Sequence, residues 1–210
     1  SQAASLTGEQ ISAMSTRQVA AIDSQDFAEL SSEAIAALST AQVRAMTNSQ
    51  IGALTTDKVG QLSADGVGAF TASQIVALKT DALAAMGAEQ IKAIKPTVMG
   101  AMSTLQIAKL TTSQVAAIET DDLVLMTDTQ VAAIGTAGVA NMTIDQVAAL
   151  ESNQVAALTT AQVKALTTAQ VVALTTDQVD KFSTAQLAAL STAQVAAMET
   201  EDFAKLTTEQ

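Results

Sequence analysis

Few side chains in this chain could do chemistry. Acidic residues cluster at Asp23 with Asp26, at Asp121 with Asp122, and at Glu199 with Glu201 and Asp202. Grouped surface carboxylates supply the hard oxygen ligands that Ca²⁺ takes, and a carboxylate pair can act as general acid and base. Neither use fits well here. No EF-hand loop spacing accompanies the clusters, and acid–base catalysis needs a concave, desolvated pocket, which a uniform repeat does not offer. Acids near helix N-termini favour the helix dipole and keep a protein soluble, and that reading is adopted. The eight Met residues could form a soft-ligand stripe, but seven of them (Met14, Met46, Met86, Met102, Met126, Met142, Met198) share one repeating position with Leu and Ile. Met in such company fills gaps in a core. The remaining candidate is a ladder of Ser and Thr. A regular hydroxyl array could order water as ice-binding surfaces do, or engage a glycan or protein. Hydroxyls at helix starts are instead consumed as caps, which is the preferred reading.

What the chain lacks narrows the field further. Its 210 residues include no His, Cys, Trp or Tyr. Zinc, iron–sulfur and blue-copper sites need imidazole or thiolate, as do Ser-His-Asp and Cys-His catalysis. Ten basic residues stand against 21 acidic ones, a formal charge of −11. The cations are scattered: the only arginines are Arg17 and Arg44, and the closest lysines are Lys92 and Lys95. Phosphate binding depends on clustered Lys and Arg, so nucleic acid is excluded as a partner. No apolar run approaches the ~20 residues of a membrane-spanning helix, and the opening Ser-Gln-Ala-Ala-Ser shows no signal-peptide pattern. The expectation is therefore no enzyme, no cofactor, no catalytic or metal-binding residue, and no membrane insertion.

The elements that must position these side chains come from one repeat. A large apolar residue (Leu, Ile, Met or Phe) recurs every eight positions at 26 sites from Leu6 to Leu206. A second recurs five residues after each, at 25 sites from Ile11 to Phe203. The cleanest unit is Leu158-Thr159-Thr160-Ala161-Gln162-Val163-Lys164-Ala165; its residues define positions one to eight. Position two is Ser or Thr in 18 of 26 units, and position five is Gln in 17.

This unit reads as a helix start. Thr at position two and Gln three residues later form a capping box, and the apolar residues flanking them form the matching hydrophobic staple. A second Thr at position three leaves open which of the two caps. Pro96 falls at position three, in the first turn, where Pro is tolerated. One continuous helix is excluded. Eight residues at ~100° each would carry an apolar mark ~80° round the axis per unit, so no single face could bury it. A β-solenoid fits poorly, because the apolar spacings of five and three do not alternate and Ala and Gln are weak strand formers.

The expected fold is all-α. It is a solenoid, or superhelix, of very short helices, one per eight-residue repeat, with positions one and six facing inward and small residues at seven and eight letting neighbouring turns approach. A single short helix is unstable alone, so stability must come from stacking. Residues 1–5 read as a flanking segment and 6–210 as one array, whose last unit, Leu206-Thr207-Thr208-Glu209-Gln210, stops partway, as in a segment of a longer array. Repeat fidelity falls between 79 and 102, where Lys79, Gly87 and Lys95 replace the cap, and at Gly135 and Gly138. Such stretches could be bends or weak points of the array; neutral drift in a tolerant array is the preferred reading.

The stretches Leu166 to Leu174 and Leu190 to Met198 resemble the Leu-Thr-Thr-Ala-Gln-Val-Ala-Ala-Leu tracts of large, repetitive bacterial proteins. Many of those are secreted or cell-surface proteins of the adhesion, haem-utilisation or haemolysin-like kind. The resemblance covers essentially the whole chain and implies a bacterial secreted or cell-surface setting. Haem ligation finds no His, Cys or Tyr here. The function expected is a structural repeat segment, a rigid spacer or fibre-forming module, with self-association end to end through its uncapped ends. The alternative is a binding module whose regular outer face engages a glycan, a protein or ice.

Overall fold

The computed structural model describes residues 3–208 and 210. Ser1, Gln2 and Glu209 lie outside the described residues, and with them part of the flanking segment and of the incomplete last unit. Residues Ala3–Ser5 form a single 3₁₀ turn. The described residues then form 25 short α-helices, α1 (Gly8–Ala13) to α25 (Thr200–Lys205), one per octapeptide, with no strand among them. The expected all-α solenoid is what the chain builds.

One unit explains the rest. In α20 (Thr160–Ala165), Thr159 is the N-cap with φ −69° and ψ 156°, and its hydroxyl accepts from the Gln162 backbone N–H. The cap is therefore the position-two Thr, and Thr160 is the first helical residue. Leu166 closes the helix with φ −58° and ψ 138°, and Thr167 begins the next with φ −73° and ψ 160°. Two consecutive extended residues thus end α20 and re-aim the chain, whereas other helices, such as Ser32–Ala36, close on a C-cap still in the αR region, Ala37 with φ −81° and ψ −5°. No described residue, glycine included, has a positive φ. The corner needs no left-handed residue, so the array can repeat it without a glycine in each unit. Pro96 opens its helix (Pro96–Met99), where its missing N–H has no intrahelical partner to lose.

By their contacts the residues fall into two compact units, Ser1–Lys109 and Leu110–Gln210. In the first, α1 packs on α4 (Ser32–Ala36), and α2 (Thr16–Ala21) packs on α5 (Thr40–Ala45). In the second, α14 (Thr112–Ala117) packs on α17 (Thr136–Ala140), which packs on α20, which packs on α23 (Thr184–Ala189). Within each unit, a helix therefore lies against the third one along. Position-six side chains form the core, and Ile51, Ile75, Val131 and Val163 are fully buried. Position one completes it, with Leu54, Leu78, Ile134 and Leu166 nearly so. Full burial of a side chain of this size contributes roughly 1.5–3 kcal/mol before ordering costs are subtracted.

Candidate functional site

The most regular polar feature of both units is the position-five glutamine. Sequence reasoning assigns it one role, the return half of the capping box, and the structure shows that role. The Gln162 Oε1 accepts from the Thr159 backbone N–H at 2.7 Å. The same amide has a second role that helix-start rules do not reveal. Gln162 Nε2 donates to the Val131 and Ile134 carbonyls at 3.1 and 2.7 Å, 31 and 28 residues back. Those carbonyls belong to the last turn and C-cap of α16 (Asp128–Ala133). The first N–H groups and last C=O groups of any helix have no intrahelical partner. One glutamine amide here serves the start of its own helix and the end of the helix one coil earlier.

The arrangement repeats at fixed separation. Gln42, Gln50, Gln74, Gln90 and Gln106 do the same in the first unit, for example Gln50 to the Val19 and Ile22 carbonyls, both at 2.8 Å. In the second unit it recurs every eight residues from Gln146 to Gln194. These amides are buried; Gln162 is 1% exposed. Since each helix packs on the third along and its glutamine reaches the fourth, one turn of the coil takes between three and four octapeptides.

The sequence held a signal for this second role. The capping box accepts Glu as readily as Gln, yet position five has 17 Gln, three Asp and no Glu. Only the amide can donate, so the exclusion of Glu marks a buried donor.

At Gly87 the cap is missing and the ladder persists. Gly87 has no side chain to offer, but its N–H still donates to Gln90 Oε1 at 2.8 Å, and Gln90 Nε2 still reaches Val59 and Leu62. Lys79 and Lys95 precede helices with no side-chain cap bond. Gly135 likewise provides no cap, and Gly138 takes the place of the glutamine.

The acidic clusters sit at helix starts. Asp23 is the N-cap of α3 (Ser24–Glu29) and accepts from the Gln25 N–H at 2.8 Å, with Asp26 in the first turn. Asp121 and Asp122 occupy the first turn of α15 (Thr120–Leu125), and Glu201 and Asp202 that of α25. Among the described residues, no group of three or more carboxylates converges as metal ligands would. Asp122 differs from the rest. It stands at the glutamine position, 2% exposed, and its Oδ2 has no hydrogen-bond partner. Burial pushes its carboxyl up to about 6, the Glu119 charge adds to this, and the Glu119 backbone hydrogen bond offsets part of it. A nearby recess of about 340 Å³ is lined by Glu119, Thr120, Asp121, Thr143, Asp145 and Gln146. It presents carboxylates, hydroxyls and an amide.

The Met residues lie where core packing places them, Met46, Met86 and Met126 being buried. Ser and Thr of position two accept from their own helices, as Thr111, Thr143 and Ser183 do, with Thr55 making no such bond. No helix among the described residues is long and apolar enough to cross a membrane.

A family model, the ALTTAQ repeat, matches residues 19–56, 115–152, 147–184 and 180–208. The hexapeptide itself stands at 157–162 and 165–170. No curated protein sequence matches the chain. The matched segments span more than half of the residues, and the chain belongs to the ALTTAQ repeat family.

Proposed function

We propose that this chain is a structural segment, a spacer or fibre-forming module, of a bacterial secreted or cell-surface protein. The observation that carries this reading is the glutamine ladder. Buried amides tie helices of one coil to those of the coil before at constant separation, so load along the array is shared by many equivalent bonds. The proposed mechanism is mechanical: the array holds neighbouring modules apart and has no catalytic role. The bacterial and extracellular parts of the reading rest on the resemblance to the Leu-Thr-Thr-Ala-Gln tracts of such proteins.

Small-angle scattering tests the spacer. A globule of this length has a radius of gyration of ~17 Å; a spacer exceeds it clearly, and a value near it overturns the reading. Fractionation of source cells with an antibody to the chain tests the location. The reading expects the antigen outside the cytosol, and a purely cytosolic antigen removes that part.

A further inference from the structure

Two cations that lie far apart in the sequence come together within the first unit. A recess of about 270 Å³ beside α5 and α8 (Ala64–Gly68) is lined by Arg44 and Lys95. Asp65, the Thr40 hydroxyl and a small apolar wall of Gly68 and Ala69 complete it. Three departures from the repeat assemble this place. Position two is Ser or Thr in 18 of 26 units, yet Lys95 holds it before α12 (Pro96–Met99), which has no side-chain cap bond. Val98 replaces the ladder glutamine of the same helix, so its start has neither a capping hydroxyl nor an amide. Gly68 stands at position seven, where Ala is usual. There α8 packs on α11 (Ala88–Lys92), and a Cβ at Gly68 would stand 2.8 Å from the carbonyl oxygen of its C-cap, Ala93. The missing Cβ thus lets the corner that leads into Lys95 come down on α8. Local rules are expected to break where function competes with stability, and drift gives no reason for these breaks to meet in one recess. The charges are not spent on one another either. Arg44, Lys95 and Asp65 are exposed, and none belongs to the ion pairs formed among the described residues.

We propose that this recess binds one acidic sugar, a ring that carries a carboxylate and neighbouring hydroxyls. Arg44 offers the planar fork that pairs a carboxylate through two parallel hydrogen bonds, and Lys95 adds a second positive charge. Asp65 can only accept when ionised, so it calls for hydroxyl donors on the ligand. The same carboxylate repels a compact dianion, which sets a sugar acid apart from phosphate. The small wall of Gly68 and Ala69 suits the C–H face of a ring. Recesses that hold small molecules begin at roughly 300 Å³, so the size fits a single sugar unit and no longer chain. Because the three charges are exposed, water and salt screen them and the affinity is only about millimolar. This goes beyond the spacer reading and does not depend on it.

The test is a titration of the full chain with glucuronate, followed by the backbone amide signals in nuclear magnetic resonance. Glucuronate shifts the signals of Gly68 and Ala69 with a Kd of about 1 mM, and glucose leaves them in place. Arg44→Gln weakens glucuronate about tenfold or more. Lys95→Thr weakens it several-fold and at the same time raises the melting temperature, because it restores the missing cap; loss of binding with gain of stability is a pair of changes that unfolding cannot produce. Asp65→Asn weakens glucuronate and tightens inorganic phosphate. Absence of any shift at about fifty times the expected Kd overturns the proposal. Acetate that binds as tightly as glucuronate, or an Asp65→Asn variant that tightens glucuronate, reduces the recess to a patch of positive charge and overturns it too. Tighter binding of glycine than of glucuronate overturns the sugar and assigns the recess to an α-amino acid.

Discussion

At the residue scale, the position-five side chain must accept from one helix and donate to another. Replacing the buried Gln162 by Glu keeps the first function and sets a carboxylate against the Val131 and Ile134 carbonyls. A buried group left unpaired costs about 1–3 kcal/mol, and more when charged. Gln162→Glu should therefore cost at least ~3 kcal/mol by urea unfolding, while the exposed Gln18→Glu stays within ~0.5 kcal/mol of wild type. Equal losses in the two would remove the ladder from the stability argument. Asp122 is a natural version of this conflict. Its carboxyl titrates at about 6 in the folded chain, against 3.8 ordinarily. The folded state thus holds its proton more tightly than the unfolded one, and stability falls as pH rises from about 4 to about 6. With allowance for solvent screening, the effect is on the order of 1–2 kcal/mol. Asp122→Gln should abolish this component, raising the melting temperature at pH 7 and leaving it little changed at pH 4. Melting curves of the two proteins across that range check the prediction, and parallel curves would refute it.

At the element scale, each helix of four to six residues is too short to persist alone. Its existence depends on a cap at the front, a core residue in the middle and a corner at the back. The capping hydroxyl is the position-two residue. Thr159→Ala should cost about 1 kcal/mol, and Thr160→Ala, which removes no cap bond, should be near neutral in the same denaturation assay. Where a cap is missing, one can be added. Gly135 has an N-cap conformation with φ −59° and ψ 148°, and a Cβ placed there meets nothing within 4 Å. Gly135→Ser should stabilise by about 0.5–1 kcal/mol. Gly68→Ala should do the reverse, because its Cβ would stand 2.8 Å from the Ala93 carbonyl oxygen. That close approach is a role for glycine that the repeat pattern alone does not disclose.

At the scale of the whole molecule, charge is the least balanced quantity. The formal charge is −11, yet only two ion pairs are formed among the described residues, Lys92 with Glu89 and Lys181 with Asp180. Both are exposed and contribute little. Self-repulsion destabilises a compact state, and salt screens it. The melting temperature should rise between 10 mM and 500 mM NaCl at neutral pH, and a flat profile would show that the acids are spaced too widely to matter. Stacking supplies the opposing term, since each octapeptide is held by contacts to the turns on either side of it.

The sequence by itself determined the repeat, the helical state, the frame of each helix and the inward positions. All of these follow from interactions within one octapeptide: a hydroxyl and an amide three residues apart, apolar residues at spacings of five and three, and Pro96 in the one place it fits. It also contained the exclusion of Glu from position five, a sign of a donor whose acceptor it could not locate. Only the tertiary structure decided that the acceptor lies 28 and 31 residues back, that a turn takes between three and four units, and that the Oδ2 of Asp122 is buried without a hydrogen-bond partner. Those facts depend on how far the chain rotates at each pair of extended residues. Small angular increments there accumulate over a coil, and local propensities do not encode them.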